Sequence, residues 1–436
     1  MLLVGCGGSS TGSGSGGGGT GGEANPTTVT FTVTGPAPTA VATAVGSGAF
    51  TAATLSSGRL TLTVPAGTAN FAVAYVCPAA PVNTGPGATE QTDEWVYEAS
   101  TADGTALTGT CPTFIATSPT GATGTLTGAV DGSAIQIASY LSMTASNSSS
   151  TAYSFSPTGA TTYDFSFAAP AGSDRVDVMA YDSIKVGLPE DPESVWALAV
   201  KDFESQAVPG ALDAGSAVVL GAGDQTTSQA LSFSDVPAGF STPFAQVTYL
   251  TGNVGEFDLA DFATSAVGYP GVPAAVMQPG DSYQFTAQAT GELSSTTFQM
   301  VQETKTVTAT GPVSIGFPAP WSYAGPAPAA LPVFDLAYPG FTSTGAAYSD
   351  AGLGWVTSAQ STIFLQVVAT ANWLNGATSL AVPDLSGVSG FLASPPSGQS
   401  VSWSVGLGTG GSPDPAPASG QEDVSLVENL GSYKVP

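Results

Sequence analysis

The sequence predicts an all-β protein, two or three Ig-like antiparallel sandwich domains carried after a flexible glycine-rich tether. Three observations carry this expectation. Beyond residue 26, apolar residues alternate with Thr, Ser and Gln at a period of two, the mark of strands with one face buried and one wet. Gly (55) and Pro (33) make up about a fifth of the 436 residues, which favours turn-rich sheets over long helices. Charged residues are only 9%, against about 25% in an average soluble protein. The wet faces must therefore be built from neutral polar side chains, and Thr, being β-branched, suits a pleated surface.

The composition also excludes chemistry. Acids outnumber bases 32 to 6, a formal net charge of -26, and histidine is absent. Catalysis by Ser-His-Asp or Cys-His, His-ligated zinc and His-based pH sensing are thereby removed. A nucleic-acid partner is excluded too, because phosphate neutralisation needs Lys and Arg. No stretch reaches 18 consecutive apolar residues, so no spanning helix is expected.

Taken in order, the chain opens on Leu3-Val4-Gly5-Cys6 followed by Gly7 and Gly8. This run resembles the lipobox of bacterial lipoproteins. The resemblance implies that Cys6 is the lipid attachment site, that residues 1–5 are the remnant of a signal peptide, and that the protein sits in the cell envelope, at the outer membrane or surface. No basic or apolar signal region precedes Cys6, so the signal's beginning is expected upstream of Met1. Residues 7–22 hold ten glycines among sixteen, with Ser and Thr as the rest. The 6–26 segment should behave as a flexible coil with a reach of about 25 Å.

Strands then follow one another. Val29, Phe31 and Val33 alternate with Thr; Leu60, Leu62 and Val64 do the same; Phe71, Val73 and Tyr75 face away from Ala72 and Ala74. Later runs around Tyr283–Ala287 and Val401–Val405 repeat the pattern. Short helices are expected only at Asp258 to Val267 and Gln421 to Leu430. A strand, Pro-Ala-Gly turn, strand unit recurs at Pro65, Pro170 and Pro237, Pro pre-setting one turn position and Gly allowing positive φ. The spacings of 105 and 67 residues are too unequal for a solenoid and point to separate sandwiches. The expected blocks are 27–115, 116–255 and 256–410, with an extended tail from 411 to 436. Within the first, Val29 to Gly35 and Gly58-Arg-Leu-Thr-Leu-Thr-Val-Pro-Ala-Gly-Thr68 resemble the carboxypeptidase-regulatory-like Ig-type sandwich. That resemblance implies a structural or adhesive accessory domain and carries no catalytic residue.

Few residues stand out for chemistry. Cys77 and Cys111 are the only thiols besides Cys6, and export into an oxidising compartment makes them a disulfide pair. Asp174, Asp177, Asp182, Glu190, Asp191 and Glu193 cluster, but without a calcium-loop pattern, so a solvated face is expected and no metal or other cofactor. Glu94, Glu98, Glu204, Glu256 and Glu303 are candidate carboxylates for a hydrolase, in no diagnostic context. Gly406-x-Gly408-x-x-Gly411 leads into Ser-Pro-Asp-Pro rather than a helix, so it is no dinucleotide site. Lys185, Lys201 and Lys305 offer no distinctive Ser-Lys dyad, and Asn147-Ser-Ser reads as a polar loop. Trp321 and Tyr323, flanked by prolines, are the aromatic pair expected to face a ligand. The sequence thus points to a non-catalytic envelope lipoprotein with a structural or adhesive role, binding glycan or envelope protein. A carbohydrate-binding module would need exposed coplanar aromatics, and a carboxylate hydrolase a cleft with two facing acids.

Overall fold

The computed structural model describes residues 25–81, 89–112, 123–131, 140–145, 151–155, 162–170, 172–183, 195–211, 217–251, 255–263, 266–338, 348–409 and 423–436. Cys6, the tether up to residue 24, Asn147 and the 184–194 acidic loop lie outside these residues. Regular structure in the described chain is almost all strand, as the alternation predicts. The helical segments among the described residues are a 3-10 turn at Thr101–Asp103 and one α-helical turn at Ala371–Leu374.

Strand pairing resolves the fold into four copies of one topology. In the first, Thr27–Thr34 pairs antiparallel with the fourth strand, Arg59–Val64, and parallel with the seventh, Ala106–Thr110. Opposite this three-stranded sheet, the second strand, Ala40–Val45, pairs with the third, Thr51–Ala52, and the fifth, Asn70–Val76, which pairs with the sixth, Glu90–Ser100. The same pairing recurs from Thr123–Asp131 to Ala217–Val219 and from Thr227–Ser234 to Val313–Gly316. A fourth copy runs from Val333–Asp335 to Val424–Lys434, with no seventh strand among the described residues. The expected 256–410 block therefore holds strands of two copies, and its limit at 255/256 falls beside the start of strand Gly255–Ala263.

The larger sheets of the four copies join edge to edge. Sixth strand Glu90–Ser100 of the first sandwich runs parallel to third strand Ser361–Thr370 of the fourth. Sixth strand Val424–Lys434 of the fourth pairs with sixth strand Thr297–Val307 of the third. A bridge between Trp196 and Ala260 links the third to the second. The spatial order is first, fourth, third, second, in one continuous sheet.

This arrangement explains the two expected helices that are strands instead. Residues 258–263 and 266–267 of the first lie in Gly255–Ala263 and Ala266–Gly271, and residues 424–430 of the second lie in Val424–Lys434. The last has strand neighbours along both edges. Ladder pairing and burial override local propensity there.

Period two decides which core each residue joins. Along the first seam, Trp95, Tyr97 and Val368 enter the core of the first sandwich, with Phe31, Phe71, Val73 and Tyr75. Val96, Leu365, Val367 and Ala74 turn to the opposite face, into one large core that runs through the third and fourth sandwiches and takes in Ala42 of the first and Met179, Ala197 and Val200 of the second. A strand buried on both faces reads as a near-continuous apolar run, which is the character of Asn70–Val76.

Candidate functional site

Cys77 and Cys111 form the expected disulfide, with Cα atoms 5.4 Å apart. It ties the end of the fifth strand to the residue after the seventh, closing one sheet of the first sandwich onto the other. Beside it opens a cleft of about 680 Å³ lined by Val33, Val41, Leu55 and the backbone of Gly35 and Gly58. Its lining carries no ionisable side chain.

Trp321 and Tyr323 do not face a ligand. Both are buried, at 1% and 8% exposure. The Trp321 ring packs on Tyr323 at 4.9 Å, and Tyr323 meets the edge of Trp403 at 5.6 Å. Gln299 holds the Trp321 backbone at both ends: its Oε1 accepts from Trp321 N at 3.0 Å, and its Nε2 donates to Trp321 O at 2.5 Å. The same Nε2 donates to Asn429 Oδ1 at 2.8 Å, and the Trp321 indole donates to Ala337 O at 3.1 Å. Further along, Tyr433 donates to Ala329 O at 2.8 Å. This proline-rich segment packs on the fourth sandwich through Trp321, Tyr323 and Trp403. Prolines that forbid a ladder suggest an exposed loop, but a side-chain amide satisfies this backbone inside the core.

The candidate acids are spread over several strands. Asp174, Asp177 and Asp182 lie on strand Gly172–Ser183. Glu204 and Glu256 lie on separate strands, and Glu303 accepts from Ser425. Among the described residues no three metal-ligating side chains gather.

The structure instead brings together two carboxyls that the sequence does not single out. Asp350 stands opposite Gly406, and Gly406 opposite Glu428, across three adjacent strands of the fourth sandwich. A Cβ on Gly406 would lie 2.3 Å from Asp350 Oδ1, so only glycine leaves room for that carboxyl. Ser404 hydrogen-bonds Glu428, and the Tyr348 ring lies over Gly408. Burial pushes Asp350 up to about 6 and Glu428 up to about 8, the neighbouring Asp350 charge adding to the second. Burial and the like charge of its neighbour both favour the protonated form of Glu428. The only signal in the sequence was glycine at alternate outward positions of a strand, which marks a close approach.

A second buried set lines the seam between the first and fourth sandwiches. Glu94 Oε2 accepts from Leu392 N at 3.0 Å, and Glu98 is hydrogen-bonded by the Trp373 side chain. Burial pushes each up to about 7. Asp103 caps Ser100 N at 2.7 Å and accepts from Thr370 Oγ1 and Asn372 Nδ2, both at 2.6 Å. Asn70 Nδ2 donates to Trp373 O at 3.2 Å. Compared with known proteins, the chain matches no family model and no curated sequence.

Proposed function

We propose that this chain is a non-catalytic, lipid-anchored envelope protein, a rigid body that serves a structural or adhesive role toward glycan or envelope protein. The observation that supports this reading is the edge-to-edge fusion of four sandwiches into one sheet. Ladder hydrogen bonds join the first sandwich to the fourth and the fourth to the third, which suits display and load-bearing. The Gly-rich 6–26 segment supplies the complementary property, slack between body and membrane. Two or three acyl chains on Cys6 suffice for stable anchoring.

The test is mass spectrometry of the mature N-terminus after expression with upstream codons in a host that processes lipoproteins. The expected product begins at Cys6 carrying diacylglyceryl, and the protein fractionates with membranes. A processed protein whose Cys6 is unmodified and which stays in the aqueous fraction would overturn the proposal.

A further inference from the structure

We infer that the seam between the first and fourth sandwiches is a pH-operated latch, closed while Glu94 and Glu98 are protonated and loosened when they ionise. The seam is a parallel ladder of nine residue pairs, Glu90 to Glu98 against Ser361 to Ala369. Glu94 and Glu98 sit four apart on one strand, so both point to the same face. Val96 between them enters the large core on that face. Glu94 lies opposite Leu365 and Val76, and Glu98 opposite Ala369 and Ala72. Their immediate neighbours are therefore aliphatic.

No positive charge faces either carboxyl among the described residues. Strand Ser361–Thr370 and the helical turn Ala371–Leu374 contain no ionisable side chain. In strand Asn70–Val76 the one ionisable group, Tyr75, belongs to the core on the other face. Residues 383–394 bring only the carboxylate of Asp384, and the 101–103 turn brings only Asp103. On their own strand, Glu90 lies at its start, while Asp93 faces away and is paired with Gln91. Each seam glutamate thus has a single hydrogen-bond donor and no counter-ion. A neutral carboxyl is tolerated in such a place; a carboxylate is not.

The closed-seam value of each group, about 7, stands above the ordinary 4.5 that solvent restores on opening. Seam strength is therefore full below about 4.5, falls as pH rises to about 7, and is flat beyond. Within that window each carboxyl shifts the open-to-closed ratio by up to about tenfold per pH unit. The first sandwich keeps its own core and disulfide, so it survives release as a folded unit.

Hydrogen exchange of the full chain at pH 5 and pH 8, corrected for intrinsic rates, reads the latch directly. Amides of 90–98 and 361–369 should lose more than about tenfold in protection at pH 8. Amides of 27–34, inside the first sandwich, should keep theirs. The E94Q/E98Q chain should hold the pH 5 protection at pH 8, with Asp350 and Glu428 still present. Equal wild-type protection at both pH values overturns the latch, even where the double variant fails to fold. A double variant that still loses protection overturns it as well.

Discussion

One carboxamide, Gln299, joins the third sandwich to the fourth. It is fully buried and binds the Trp321 amide, the Trp321 carbonyl and Asn429. Replacing it with Ala leaves these three groups without partners in the interior and opens a void. An unsatisfied buried group costs about 1–3 kcal/mol, so Gln299→Ala should lower stability by about 3 kcal/mol or more in urea unfolding. A loss below about 1 kcal/mol would show that the amide is dispensable. At this scale the strand faces were legible. Phe71, Val73 and Tyr75 go to one core while Ala74 goes to another, because alternation is written residue by residue. Trp321 was not legible. Its burial depends on an amide 22 residues away, and nothing local to Pro-Ala-Pro-Trp announces that partner.

The recurring Pro-Ala-Gly turn shows what an element can and cannot reveal. Thr68 N donates to Pro65 O, and Phe240 N to Pro237 O, each at 3.1 Å, with Gly67 and Gly239 at positive φ. Locally these are the turns that Pro and Gly prescribe. Globally, the first two occurrences join fourth to fifth strands, while the third joins a first strand to a second. Their unequal spacing therefore measured different corners of the sandwich. First strands begin at Thr27, Thr123, Thr227 and Val333, 96, 104 and 106 residues apart. That near-regular period is a property of pairing, invisible to motif spacing. The disulfide belongs to this scale as well, since it links two elements of one sandwich across a separation of 34 residues. Closing such a loop contributes about 4 kcal/mol in the chain-entropy model. Reduction should lower the unfolding midpoint of strands 27–110 and leave 227–434 nearly unchanged. Equal shifts in both, followed by exchange of reporter peptides, would contradict that assignment.

For the whole molecule, cores rather than sequence order define the cooperative units. The third and fourth sandwiches share one core, which also reaches Ala42, Ala74 and Val96 of the first and Met179, Ala197 and Val200 of the second, while the first has a further core between its own two sheets. Calorimetry at pH 8, where the seam glutamates are charged, should therefore resolve a transition for the first sandwich from a joint one for the third and fourth. Separate melting of the third and fourth would refute the shared core. The sequence could not reveal this partition. The seam pairs residues about 270 positions apart, and edge-to-edge joining leaves no mark that distinguishes it from an ordinary strand within a sandwich.

The spatial order also fixes how the body carries force. A pull applied between residues 27 and 434 enters the first sandwich, crosses the nine-pair parallel seam and leaves through the fourth. Residues 123–316, the second and third sandwiches, hang outside that line as stored length. The seam is therefore the joint that bears the load between the first and fourth sandwiches, its nine pairs in parallel register and its side chains shared with both cores.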